Sequence, residues 1–94
     1  MARKEDMIQL FTDIATAISA RHLATVKMLT MQKGERLPYD ELMPVLQQMQ
    51  EELTQKGVEF IGIVKKTDNR FAETLSDDLG IVIRSTVEGF IKQL

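Results

Sequence analysis

Residues 4–32 constrain this chain more than any other stretch, because one apolar stripe runs through them without a proline or glycine. On a helical wheel Met7, Phe11, Ile14, Ile18, His22 and Leu29 share a narrow face. Ile8, Ala15 and Val26 flank it on one side, and Leu10, Ala17 and Met28 on the other. Glu5, Gln9, Thr12, Thr16 and Lys27 lie opposite. A repeat near 3.6 residues with a polar far side is the mark of an amphipathic α-helix. At 1.5 Å per residue it extends for about 40 Å. A helix that long outreaches a small domain, so its overhanging apolar face calls for a second copy or a partner. Phe11, Ile14, Ile18 and Leu29 are the candidate dimer interface on this reading. Gly34 follows as the left-handed residue that commonly ends a helix.

The second helical region is "LPYDELMPVLQQMQEELTQKG", in which Leu42, Leu46, Met49 and Leu53 line one face. Pro44 suits a first helical turn better than an interior. The expectation is therefore a turn or short helix over 39–43 and a regular helix over 44–56, closed by Gly57.

Residues 58–64, "VEFIGIV", are short, apolar and rich in β-branched side chains, with Gly57 before them and "TDN" after. Gly62 and the β-branched residues weaken a helix there. The stretch reads as a buried strand, with 70–74 as its hairpin partner. A last helix begins at "LSDDLG", where Ser76 is a suitable N-cap and Asp77 and Asp78 sit at the favoured pole of the helix dipole. Leu79, Ile83, Val87, Phe90 and Leu94 form its stripe. The expected fold is mainly α (α+β): a long N-terminal helix, a second helix, a short β element or hairpin near 58–74, and a C-terminal helix. The alternative is an all-α bundle.

With 94 residues, 1–94 reads as a single small domain whose stability is marginal unless association helps. The chain has no cysteine, which removes disulfides and thiolate metal sites. No apolar run is long enough to span a membrane. Glu5 and Asp6 directly behind the basic pair Arg3–Lys4 argue against a targeting signal, so a cytoplasmic location is expected. The net charge of −2 is spread unevenly. Residues 37–57 carry one basic and four acidic side chains, and no segment has the positive balance of an obligate nucleic-acid binder.

Constellations for catalysis are missing. His22 is the sole histidine and sits on the apolar stripe, which marks a core-edge residue with one hydrogen bond. Glu51–Glu52 and Asp77–Asp78 are neighbours in sequence, about 100° apart on a helix, and do not converge on one ligand. No metal, cofactor or catalytic residue is assigned, and the chain reads as non-enzymatic. Met28, Met31, Met43 and Met49 cluster around the end of the first helix and the second helix. Thioethers fill irregular cores, and where exposed they line docking grooves for partner helices.

Lys65, Lys66 and Arg70 would surround the tip of a 58–74 hairpin. The order long helix, turn, helix, hairpin, helix over about residues 21–79 loosely resembles a winged-helix domain with dimerising helices. That resemblance implies DNA contacts from the wing, here Lys65, Lys66 and Arg70. The helix that would enter the major groove offers Gln47, Gln48, Glu51 and Glu52, whose carboxylates repel phosphates.

The function expected first is therefore that of a small intracellular interaction or regulatory protein. It works through protein–protein contacts as a homodimer, with Met43, Gln47, Glu51 and Glu52 as a surface for a protein partner. The alternative is a winged-helix-like DNA-binding regulator, with nucleic acid the less favoured partner.

Overall fold

The long periodic stretch is a helix, and it is the first of three. The computed structural model describes residues 3–94, so Met1 and Ala2 of the N-terminal segment lie outside the described residues. Helix α1 spans Arg3–Lys33, α2 spans Tyr39–Lys65 and α3 spans Asn69–Lys92. The connections are short, and each helix packs on both others. Arg36, in the α1–α2 connection, donates from Nη2 to the Leu94 carbonyl at 2.8 Å, and Lys4 pairs with Asp78 at 2.9 Å. The chain therefore runs up, down and up, with α1 and α3 parallel, as a rod of 50 × 21 × 15 Å.

The termini follow from local chemistry. Gly34 adopts φ 76°, and its amide reaches the Thr30 carbonyl at 2.9 Å, the left-handed closure expected at this residue. The second helix starts at Tyr39, earlier than expected, behind the extended Pro38. Pro44 lies inside it and removes one helical hydrogen bond, the one to the Asp40 carbonyl, within the second turn. Helix α3 also starts early. Asp68 is its N-cap, accepting from the Phe71 amide at 3.0 Å, and Ser76 lies two turns inside.

The expected β element is absent: no strand occurs among the described residues, and 58–64 continues α2. The all-α alternative fits. The reason is spacing. Leu53, Gly57, Phe60, Ile61 and Val64 recur every three or four residues and extend the stripe of Leu46 and Met49 onto the same core. Burial of that continuous stripe outweighs the weak helix preference of β-branched residues and Gly62, which amounts to a few tenths to about 1 kcal/mol each. Gly57, expected to end the helix, lies instead on its buried face, where a Cβ would stand 3.5 Å from Ile83 and 3.7 Å from Phe11. Residues 70–74, the expected second strand, are the first turns of α3.

The core has two parts joined through Val82 and Ile83. One gathers Ala15, Ile18, Val26, Leu37, Met49, Leu53, Val87 and Phe90. The other, towards the α2–α3 turn, gathers Phe11, Val64, Ala72, Leu75 and Leu79. Phe11 meets Phe60 edge to face, with centroids 5.7 Å apart. Such a pair contributes about 0.5–1.5 kcal/mol beyond its buried area.

Candidate interaction surfaces

The stripe expected to make a dimer is largely spent inside one chain. Phe11 is fully buried, Ile18 is 7% exposed, and Ile14 packs against the core half-buried. Only Leu29, at 37%, faces outward. A protomer that uses Phe11 and Ile18 for its own core cannot offer them to another.

His22 sits where a core-edge histidine belongs, 6% exposed, with Nε2 3.0 Å from Glu52 Oε1 across the α1–α2 contact. Arg21, one residue earlier and on the surface, donates to the other oxygen of the same carboxylate. Glu52 is held below its ordinary value of 4.5, mainly by the His22 hydrogen bond; partial burial opposes this and the Arg21 charge adds to it. Both oxygens of the Glu52 carboxylate are thus engaged from α1, which makes this a clamp between helices. Glu52 is thereby engaged within the chain, whereas Gln47 and Glu51 are exposed on the outer face of α2 and Met43 is half-buried.

The methionines divide. Met49 is fully buried, and Met31 is 82% exposed at the rim of an apolar groove of about 730 Å³. This groove lies at the end of the rod where α1 ends, α2 begins and α3 ends. Leu23, Val26, Leu37, Leu42, Ile91 and Leu94 form its bed, with Lys27, Arg36 and Tyr39 around it. Tyr39 is 76% exposed. A smaller groove of about 430 Å³ runs between α2 and α3 past Val58, Ile61, Gly62 and Gly80.

A further apolar surface extends outward from the flank where the wheel places Leu10, Ala17 and Met28. Leu10, Ala17, Ala24 and Met31 repeat every seven residues along α1, and all are exposed. Met28 is 55% exposed beside them, and Ala20 lies between. Leu10, Ala17 and Met28 were legible as a flank of the core stripe, but their continuation through Ala24 to Met31 was not.

Lys65, Lys66 and Arg70 do gather in space, at the tight turn between α2 and α3. They are exposed, with Lys65 in the last turn of α2, Lys66 as its C-cap and Arg70 in the first turn of α3. No hairpin carries them, so the wing on which the DNA reading depended does not exist. Asp68 and Glu73 share the same turn region.

Among the described residues, no group of three or more His, Asp or Glu side chains is arranged to hold a metal ion, and no helix is long and apolar enough to cross a membrane. Comparison with family models, with curated proteins and with solved structures gave no match.

Proposed function

We propose that this chain is a non-enzymatic interaction or regulatory protein that works through protein–protein contacts, as a homodimer that also receives a helix from a partner. The observation that carries the reading is the open apolar groove at the α1–α2 end. Its volume and its mostly apolar bed fit the recurring mode in which an amphipathic helix lays its apolar face between two others. Met31 and Tyr39 around it and Ile91 in its bed are large and exposed, and aromatic residues and methionine are enriched where interfaces form. The best-organised polar cluster, Arg21–His22–Glu52, is consumed in joining α1 to α2. That use supports a binding role over a catalytic one.

The test is selection of displayed amphipathic helices against the immobilised chain. Binders should seat in the groove, and Ile91→Asp should weaken them by about tenfold or more, as charge enters an apolar contact worth over 1.4 kcal/mol. Ile91 is half-exposed, so that variant keeps its fold. No enrichment of any helix, or binders indifferent to Ile91→Asp, would contradict the reading.

A further inference from the structure

Helix α1 carries a second, outward run of apolar side chains beside the stripe that faces its own chain. The outward series Leu10, Ala17, Ala24 and Met31 has a strict seven-residue period, and the positions three residues on, Asp13, Ala20 and Lys27, share its side of the helix. Its central positions are alanines, which let two helix backbones approach closely, and its ends carry the larger Leu10 and Met31. Charge flanks the seam with a polarity. Asp6 and Asp13 lie beside it on the N-terminal half and Arg21 and Lys27 on the C-terminal half, while Lys4 and Lys33 are turned towards α3 and α2. Arg21 and Lys33 already pair with Glu52 and Glu41. Lys27 makes no ion pair among the described residues, and Asp13 accepts only from Gln9 on its own helix, at 2.9 Å.

We propose that this outward face of α1 is the seam of an antiparallel homodimer, in which Asp13 of each copy meets Lys27 of the other. The proposal rests on the homodimer reading above and specifies its geometry. Running two α1 helices in opposite directions about the point between Ala20 and Arg21 sets Ala17 against Ala24 and Leu10 against Met31. The same arrangement brings Asp13 beside Lys27 twice, once on each side of the two-fold axis. A parallel pairing would instead set Asp13 on Asp13 and Lys27 on Lys27, and like charges facing each other select against it. The second copy is thus the occupant whose charge pattern complements this face.

Because the chain has no cysteine, engineered thiols report the arrangement without background. Ala17→Cys and Ala24→Cys, each oxidised alone, should stay uncrosslinked; mixed, they should form a disulfide-linked dimer. Cross-linking of Ala17→Cys with itself would mean a parallel pair and overturn the proposal. Charge exchange gives an independent reading. Asp13→Lys and Lys27→Asp should each weaken dimerisation by about tenfold or more, since each sets two like-charge pairs across the seam, and the double variant should restore it. All four positions are exposed, so the fold tolerates these changes. A dimer by sedimentation that neither cross-links nor responds to charge exchange would overturn this seam while leaving the homodimer reading intact. A chain that stays monomeric would remove both.

Discussion

His22 and Glu52 show how one buried polar side chain is made tolerable. The imidazole is nearly sealed, and a partly buried carboxylate 3.0 Å away receives it, with Arg21 on the far oxygen. Removing the carboxylate strands a buried ring nitrogen, which costs about 1–3 kcal/mol. Glu52→Ala should accordingly lower the midpoint of urea unfolding at neutral pH. The same clamp gives the fold an acid dependence of definite sign. The folded state holds the Glu52 carboxyl below its ordinary 4.5. Its contribution is therefore complete above that value and is lost as pH falls through the lower, folded one. Between about pH 5 and about pH 3 the parent should lose more stability than Glu52→Gln, so the gap between their unfolding midpoints narrows. A gap unchanged by acid would show that the carboxylate does no such work. The histidine's place was legible in the sequence, since it stood alone on an apolar stripe. Its partner was not, because Glu52 and Glu51 look alike until α2 is rotated against α1.

At the scale of elements, the sequence carried three apolar stripes, and two of them were plain. The face of α1 and the series Leu79, Ile83, Val87, Phe90 appear in the core as their periodicity implies. The stretch 58–64 was misread because local preference and long-range burial disagree there. Gly57 and Gly62 looked like boundaries, and four β-branched residues looked like a strand. Read as a continuation from Leu46 and Met49, the same residues keep a helical period for about five turns, and period decides when a core waits on one side. Helix preference still acts on the exposed side. Gly62 lies within α2 with open space where a Cβ would go. Gly62→Ala should thus stabilise the chain by roughly 0.5–1 kcal/mol and raise its thermal midpoint by a few degrees. An unchanged or lower midpoint would mean that this part of α2 is less regular than the fold requires.

On the scale of the whole molecule, three helices of 31, 27 and 24 residues close one core and leave other apolar surface unused. The groove at the α1–α2 end and the outward face of α1 meet at Met31 and Lys27, so a dimer seam and a docking groove would share a border. In such an arrangement Leu10 of a second copy would come to rest beside Met31, at the mouth of the groove. Self-association and partner binding would then influence each other through shared side chains. The basic turn at the opposite end stands apart from this surface. Its reading as a wing depended on a hairpin that the burial pattern of α2 rules out.

Sedimentation equilibrium of the intact chain, across micromolar concentrations at neutral pH, is the most direct measurement. A mass twice that of one chain, falling towards one on Asp13→Lys substitution, is the expected result. A single-chain mass at every concentration would contradict the homodimer and leave α1 with an exposed apolar face that no second copy covers.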